Sequence, residues 1–304
     1  MKTKIAILFM LTIGQVIMGQ KQWYLKTNDK STELYIKEIG NQKDTIVVVH
    51  GGFGAEHSYL IDAIKGLENK FTWVFYDQRG SLRSVTNDSL PTIDKHINDL
   101  EELRVALSIN KMNLFCHSMG TLTGLMYLEK YPEKVQNVTL TGSVPFIVKD
   151  LNSLFSKVYQ SADFLMKRKS VSDEIIKQGL DKTALSNREQ SFRDKIMFSA
   201  SNIWDISNWE KLVFGTPFLN QKINAATLQS IPSSWDFSSA MQNHKHKVTL
   251  IQGEKDFIDW ELKFYKNNKV NSDTYKLYTI PNSGHLAWYD NPDFFRKSLE
   301  ESFN

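Results

Sequence analysis

The sequence predicts an α/β fold with a mostly parallel sheet and helices on both faces, and three observations lead to this prediction. Short strand-like segments alternate with helical patterns over two stretches of the chain. Near-continuous apolar runs such as "TIVVV" are typical of strands buried on both sides. From about Pro145 to Lys247 the alternation stops and the apolar spacing is helical. Since parallel neighbours need crossover connections, the alternating stretches favour helices on both faces.

The strand-like segments can be placed in order along the chain. They are "STELYIKEIG", "DTIVVVHGG", "WVFYDQRG", "MNLFCHS", "NVTLTGS", "KVTLIQGEKD" and "TYKLYTIPNSGH". The clearest helical pattern lies between the third and fourth of them, where apolar residues spaced by three or four share one face: Ile93, Ile97, Leu100, Leu103 and Leu107. This order gives a core in two parts, residues 20–145 and 247–304, separated by a helical cap at residues 146–246. An insertion that leaves a sheet and returns to it lies over the strand ends, where such folds bind ligands, so we expect the cap to act as a lid.

The first nineteen residues have the composition of a cleaved secretory signal. Lys2 and Lys4 precede an apolar run, and Gly19 offers a small residue at a cleavage position. The alternative is an uncleaved anchor, but the run is shorter than the roughly 20 residues that span a bilayer. We therefore expect a secreted or periplasmic protein that has no stable membrane insertion after cleavage. The single cysteine, Cys116, cannot form an intramolecular disulfide and is compatible with that compartment.

Composition narrows the class of partner. The chain has 304 residues, 41% of them hydrophobic, and its 37 basic and 34 acidic residues give a net charge of +3. Because no long basic run is present, we expect no nucleic acid partner, and a small molecule or short peptide fits better. His244 and His246 alternate in a polar stretch without a carboxylate cluster, so no metal site and no cofactor are expected. Composition leaves the oligomeric state open.

Ser118 lies in "NLFCHSMGT", where a strand-like run meets a helical pattern. A serine on a sharp turn between a strand and a helix projects its hydroxyl from the top of the sheet, and small residues two positions to either side permit the tight backbone. Gly120 satisfies that requirement, and Cys116 satisfies it in part. The motif indicates a nucleophile, with a serine that caps the following helix as the alternative.

Two further residues complete a catalytic triad in the order Ser, Asp, His. Asp256 follows the strand-like "LIQG", and His285 follows the last strand in "IPNSGH". A serine hydroxyl needs a base to accept its proton, and the base needs an acid that fixes its tautomer and stabilises its cation. We assign these roles to His285 and Asp256, with Asp259 and Glu254 as competing candidates for the acid.

A tetrahedral intermediate also needs hydrogen-bond donors for its oxyanion. The glycines of "HGGFG", residues 50–54, follow an apolar strand and let backbone N–H groups approach a substrate oxygen. We assign the oxyanion hole to the N–H groups of Gly52 and Met119, with Phe53 as the alternative donor. A phosphate-binding loop is disfavoured because the segment lacks a Gly-Lys-Ser/Thr ending or a spaced GxGxxG.

Taken together, these motifs resemble the α/β-hydrolase superfamily across essentially the whole mature chain, and within it the proline iminopeptidase group. The resemblance lies in "HGGFG", in "DQRGSLRS" from Asp77 to Ser84, in the "HSMG" elbow, and in "GEKD" and "SGH". It implies an α/β-hydrolase fold with a helical cap between the sixth and seventh core strands. The pair formed by "HGG" and "DQRG" favours the peptidase branch over the esterases that share the elbow.

The sequence departs from the family pattern at three motif positions. The family usually has "HGGPG", "DQRGSGRS" and a small residue that opens the elbow, whereas this chain has Phe53, Leu82 and Cys116. Phe53 and Leu82 are therefore expected to shape the acyl pocket or its entrance.

The resemblance also implies an amine-binding carboxylate in the cap. In the family a Trp-Glu pair binds the free amino group of the substrate, and this chain has Trp209 and Glu210 in "SNWEKL". The alternative is an exposed helix glutamate beside a packing tryptophan. Asp205 and Asp236 are candidates for a second acidic contact.

Three functions are compatible with the sequence. The first is a secreted serine aminopeptidase that releases an N-terminal residue, such as proline, from short peptides. The second is a carboxylesterase or related acyl hydrolase that uses the same triad, and Glu210 distinguishes the two. The third is a noncatalytic binding protein, which the complete Ser, Asp, His set disfavours.

Overall fold

The computed structural model of the protein describes residues 20–86, 91–212, 218–244, 247–267 and 272–304. The predicted signal segment, residues 1–19, lies outside these ranges. Among the described residues, no helix combines the length and the apolar character that crossing a bilayer requires.

The strands, in chain order, are β1 (Gln20–Lys26), β2 (Glu33–Ile39), β3 (Thr45–Val49), β4 (Thr72–Tyr76), β5 (Met112–His117), β6 (Val135–Thr141), β7 (Ile147–Val148), β8 (Trp235–Asp236), β9 (Val248–Gly253) and β10 (Tyr275–Ile280). The core is an eight-stranded sheet with the strand order β1-β2-β4-β3-β5-β6-β9-β10. Strand β2 pairs antiparallel with β1 and β4, and the other pairings in this sheet are parallel. The predicted α/β-hydrolase fold class with a mostly parallel sheet is therefore confirmed.

Helices cover both faces of this sheet. The α-helices are α1 (Ile93–Ala106), α2 (Met119–Lys130), α3 (Leu151–Met166), α4 (Lys169–Lys177), α5 (Asn187–Asn202), α6 (Gln221–Gln229), α7 (Ser238–Asn243), α8 (Lys263–Asn267), α9 (Ala287–Asp290) and α10 (Pro292–Glu301). The predicted helix is α1, and its buried face includes the first four of the five apolar positions that predicted it.

Alternating side chains of the buried strands form two hydrophobic cores. In β3, Val47 and Val49 pack in one cluster with the buried faces of α1 and α2. Ile46 and Val48 pack in the other cluster with residues of α9 and α10. This period of two explains why the strand is apolar at nearly every position.

Strand β1 has no counterpart among the predicted strands. It is an edge strand whose side chains are exposed or half-buried, with the polar sequence QKQWYLK. An edge strand needs no buried apolar run, since only one of its sides pairs with a neighbour.

The segment between β6 and β9 is mainly helical and contains α3 to α7. Near its two ends, β7 (Ile147–Val148) pairs antiparallel with β8 (Trp235–Asp236) in a short ribbon. Part of the segment has a small core of its own, formed by Val171, Leu180, Ile196, Ala200, Ile206 and Trp209. We refer to residues 146–246 as the cap.

Hydrogen bonds connect the cap to the loop that contains His285. The carboxylate of Asp290 accepts hydrogen bonds from the backbone N–H groups of Gly284, Trp204 and Asp205 at 2.8, 2.8 and 3.0 Å. The N–H of Leu286 donates to the carbonyl of Asn202 at 2.8 Å. These contacts set the end of α5 beside the strand ends of the sheet.

Candidate active site

Ser118 lies between β5 and α2 in a backbone conformation that L-residues rarely adopt, with φ 54° and ψ −129°. Strain of this kind is on the order of 1–3 kcal/mol and persists only where the surroundings enforce it. Here the neighbours are close: a Cβ on Gly51 would lie 2.4 Å from Cβ of Ser118, and one on Gly120 would lie 2.5 Å from the carbonyl oxygen of His50. Within the described part of the chain, the Ser118 side chain makes no capping hydrogen bond to α2. This geometry favours the nucleophile over the helix cap.

The cysteine at the opening of the elbow is accommodated by a glycine in the following helix. Cys116 is fully buried, and a Cβ on Gly124 would lie only 2.6 Å from its Sγ atom. Burial raises the pKa of the Cys116 thiol, which therefore stays protonated and behaves as a small apolar group. The family pattern has a small residue at position 116. In this chain the residue at 116 is larger, and the missing side chain of Gly124 leaves the space for it.

His285 and Asp256 form a buried hydrogen-bonded pair. Nδ1 of His285 lies 3.0 Å from each carboxylate oxygen of Asp256. The carboxylate also accepts from Nε2 of Gln252 at 2.9 Å and from the backbone N–H of Ile258 at 2.8 Å. Because an ionised carboxylate only accepts, Nδ1 of His285 carries a proton and Nε2 is left for the serine.

The two competing acids have other partners. The carboxylate of Asp259 accepts from the backbone N–H groups of Phe264 and Tyr265 at the start of α8, and burial raises its pKa to about 6. Glu254 accepts from the backbone N–H of Asn282 at 3.2 Å. The structure thus brings Asp256, rather than either competitor, to the histidine.

Ser118 and His285 line the same cavity, of about 300 Å³, between the sheet and the cap. Its apolar walls come from both parts of the fold: Phe198, Phe218, Leu219, Phe257 and Leu286. Polar groups at its rim include Glu56, Tyr59 and Asn202. A small apolar cavity with a few convergent polar groups is typical of a site for a small ligand.

The predicted oxyanion donors are a residue that lines the cavity and the residue that follows the serine. Gly52 lines the cavity and has φ +66°, a conformation that favours glycine. Met119 is the first residue of α2, so its N–H has no acceptor within its own helix. Both positions are compatible with donation to an oxygen bound at Ser118.

Comparison with known proteins identifies the family of the chain. A family model described as alpha/beta hydrolase fold matches residues 44–292. The chain belongs to the α/β-hydrolase family.

Three known proteins are similar to this α/β hydrolase over most of its length. A proline iminopeptidase from Flavobacterium johnsoniae is 24% identical over 299 residues, which cover 92% of this chain and 96% of that protein. The solved structure of a proline iminopeptidase-related protein from Thermus thermophilus has a TM-score of 0.68, 21% identity, and coverage of 94% and 97% of the two chains. A serine hydrolase from Cycloclasticus zankles has a TM-score of 0.65, 18% identity, and coverage of 94% and 98%. The predicted resemblance to proline iminopeptidases is confirmed, while the solved structures show the fold alone.

Three residues that were predicted to bind substrate in this α/β hydrolase do not line the catalytic cavity. Phe53 is 1% exposed and packs against the ring of His96, with centroids 5.1 Å apart, so it belongs to the core rather than the acyl pocket. Trp209 and Glu210 line a different cavity within the cap. Trp209 donates from Nε1 to Glu174 at 3.0 Å, and Glu210 is exposed. The reason is local: the 3₁₀ helix at Ile206–Lys211 turns the tryptophan into the core of the cap and its neighbour to solvent.

The remaining acidic candidates accept hydrogen bonds from nearby backbone N–H groups at the starts of helical segments. Asp205 and Asp236 are exposed and accept from the backbone N–H groups of Ser207 and Ser238, at 3.0 and 2.9 Å. His246, one of the two histidines considered for a metal, lies outside the described residues.

A group of charged and titratable side chains that the sequence motifs do not single out as a site lies beside the cavity. Glu56, His57 and Asp77 are close enough to share a cation. The guanidinium of Arg83 already supplies a charge there, since its Nη1 lies 3.1 Å from a carboxylate oxygen of both Glu56 and Asp77. We therefore assign the group to Arg83 rather than to a metal.

Proposed function

We propose that the protein is a serine hydrolase in which Ser118 is the nucleophile, His285 the general base and Asp256 the acid that orients it. The observation that carries this proposal is the strained Ser118 in the same cavity as His285, whose Nδ1 is held by Asp256. Helix capping, the alternative role for the serine, leaves both the strain and the cavity unexplained.

The reaction follows from these positions. Oγ of Ser118 attacks the carbonyl carbon of the substrate while Nε2 of His285 takes the hydroxyl proton. The carbonyl oxygen becomes an oxyanion that the N–H groups of Gly52 and Met119 stabilise. The intermediate expels the leaving group, which receives the proton from His285, and an acyl-serine ester remains. Water, deprotonated by His285, then attacks this ester and releases the acid and the free serine.

Within this class we propose an aminopeptidase that releases an N-terminal residue from short peptides. The proposal is supported by the curated proline iminopeptidase from Flavobacterium johnsoniae, whose similarity extends over 92% of this chain. The small, mostly apolar cavity suits a single compact acyl residue.

An aminopeptidase needs a counter-charge for the substrate's ammonium group, and we assign this role to Glu56 in place of Glu210. The Glu56 side chain is 11% exposed and lines the cavity with Ser118. It shares one guanidinium, that of Arg83, with the buried carboxylate of Asp77. Two carboxylates therefore share one guanidinium, and an ammonium group in the cavity would bring a further positive charge to Glu56.

A carboxylesterase is the second candidate. It is favoured by the position of Glu210, which is exposed outside the catalytic cavity, and by the predominantly apolar walls around Ser118. An ester substrate has no ammonium group and makes no use of a carboxylate.

A panel of substrates tests both proposals. The purified protein is offered aminoacyl naphthylamides, including the prolyl compound, beside short-chain p-nitrophenyl esters. Cleavage of the naphthylamides supports the aminopeptidase, and cleavage of esters alone would transfer the assignment to the second candidate. The Ser118→Ala variant, tested in parallel, should cleave none of these substrates, and hydrolysis by the folded variant would contradict the proposed nucleophile.

We further propose that the protein is exported, on the basis of the charged and apolar sequence of residues 1–19. Sequencing the amino terminus of protein recovered from the periplasm or the medium tests this proposal. An intact amino terminus in the cytoplasm would contradict it.

A further inference from the structure

A chain of hydrogen bonds runs along the wall of the catalytic cavity and joins three of the segments that line it. The backbone N–H of Gly51 donates to Oη of Tyr59 at 2.8 Å. Oη of Tyr59 lies 2.8 Å from Nδ1 of His117, and Nε2 of His117 lies 3.2 Å from the backbone carbonyl of His285. The chain thus begins one residue before Gly52, passes through the residue before Ser118, and ends at His285.

The chemistry of the end groups fixes the direction of every bond. A carbonyl only accepts, so Nε2 of His117 carries the ring proton and donates to His285. Burial lowers the pKa of His117 well below its usual value, and the nearby His285 lowers it further, so the ring is neutral. Nδ1 is then an acceptor, and Tyr59 donates its hydroxyl proton to it while accepting from Gly51.

The packing around this chain leaves little room for adjustment. The rings of His117 and His285 have centroids 4.4 Å apart, and the ring of Trp288 lies 5.2 Å from that of His117. A Cβ on Gly142 would lie 3.1 Å from Nε2 of His117 and 2.6 Å from Cε1 of His285. A shift of either imidazole would therefore meet its neighbours at once.

We propose that Tyr59 and His117 are positioning residues, which hold the oxyanion loop at Gly51 and Gly52 and the base His285 in register with Ser118. The inference rests on the proposed serine hydrolase function. It assigns to the two side chains a role in the transition state rather than in folding alone. One end of their hydrogen-bond chain adjoins the N–H of Gly52, the proposed donor to the oxyanion, and the other end is His285, which gains a proton during the reaction.

Two substitutions remove the same central bond by different routes. Tyr59→Phe keeps the ring and deletes the hydroxyl. His117→Gln keeps a donor that can reach the His285 carbonyl and loses the acceptor that faces Tyr59. Each variant should lower kcat about tenfold with little change in KM, and the double variant should lose little more than the worse single one. Tyr289→Phe is the matched control, since its buried hydroxyl donates to Asp62 at 2.6 Å and does not line the cavity.

The decisive readout is the affinity of a boronic acid, which forms a tetrahedral adduct on the serine and so reports on the oxyanion loop and base together. The inference predicts that Tyr59→Phe weakens boronic acid binding by about the same factor as it lowers kcat/KM, while Tyr289→Phe changes neither. A Tyr59→Phe protein with wild-type kcat and boronic acid affinity would overturn the inference, whatever its melting temperature. If His117→Gln fails to fold, the isosteric Tyr59→Phe decides alone.

The Ser118→Ala variant separates this inference from the function on which it rests. Hydrolysis by folded Ser118→Ala protein would remove the proposed function itself. An inactive Ser118→Ala protein together with a fully active Tyr59→Phe protein would leave that function intact and refute the positioning role.

Discussion

Nδ1 of His285 lies 3.0 Å from both carboxylate oxygens of Asp256, although the two residues are 29 positions apart in the sequence. The carboxylate has no freedom to turn away, because Gln252 and the backbone N–H of Ile258 hold one oxygen each. Gln252 is itself fixed, since its Oε1 accepts from the backbone N–H of Ser143 at 3.0 Å. The orientation of the His285 ring is therefore fixed by residues at the ends of β6 and β9.

Asp256→Asn should lower kcat by on the order of 10⁴-fold, because an amide no longer fixes the tautomer of His285 or stabilises its cation. Asp259→Asn is the control, since this neighbouring buried carboxylate accepts from α8 rather than from the histidine, and it should retain activity. Combining Asp256→Asn with His285→Ala should cost little beyond the worse single change. Independent, additive losses in steady-state turnover would contradict a triad that acts as a unit.

Glu56→Gln should reduce kcat/KM for substrates with a free amino terminus by more than tenfold and leave p-nitrophenyl acetate hydrolysis nearly unchanged. A charged contact of this kind is worth roughly 2 to 5 kcal/mol, and the amide removes the charge while keeping the shape. Glu210→Gln, on the exposed surface of the cap, should change neither rate and serves as the matched control.

Comparison of the two substrates decides what a loss means. Equal losses on both substrates in Glu56→Gln would indicate damage to the wall that Arg83 stabilises rather than loss of an ammonium contact. A selective loss in Glu210→Gln would instead return the amine contact to the cap.

Gly124→Ala should destabilise the protein by about 1–3 kcal/mol, because the new methyl group would lie 2.6 Å from Sγ of Cys116 in a closely packed core. The same change in a Cys116→Ala background should cost much less, since the sulfur is gone. The free energy of unfolding in urea, measured for the four proteins of this cycle, gives the coupling. A coupling near zero would mean that position 124 does not supply the space for Cys116.

Asp77 should make stability depend on acid pH. Burial raises its pKa, but hydrogen bonds from the ring and the backbone N–H of His57 outweigh burial, and the pKa falls from 3.8 to about 2. Because the folded-state pKa is depressed, the contribution of about 2 kcal/mol is present above about pH 4 and is lost as the pH falls towards 2. In urea unfolding, the stability gap between wild type and Asp77→Asn should narrow over this range. A gap that stays constant down to pH 2 would refute the assignment.

The fold was predictable wherever burial leaves a periodic signal in the sequence. The apolar run of β3 and the four-three-three spacing along α1 arise because each of those faces packs against the sheet or a helix. Strand β1 was missed because it is an exposed edge strand. The individual cap helices were not predicted, since their small apolar core is distributed over polar segments.

The residues of the candidate site could be predicted where they follow a strand in the chain. They could not be predicted where only tertiary packing brings them to the cavity. Ser118, Asp256 and His285 each follow a strand, so topology gathers them at one edge of the sheet. Glu210 matched a family motif, but the 3₁₀ helix around it directs the side chain outward. The position of Glu56 and Tyr59 just after "HGGFG" was a usable sequence signal, and His117 belongs to the "HSMG" elbow. Only the folded chain reveals that these three side chains meet the cavity.

The most direct test of the central assignment is to locate the covalent adduct formed by a fluorophosphonate, which reacts with serines activated by a general base. Peptide mass spectrometry of the labelled wild-type protein should find one equivalent of phosphonate on Ser118, and His285→Ala protein should react far more slowly. Stoichiometric labelling at another residue, or an unlabelled Ser118 in protein that hydrolyses its substrate, would contradict the assignment of Ser118 as the nucleophile.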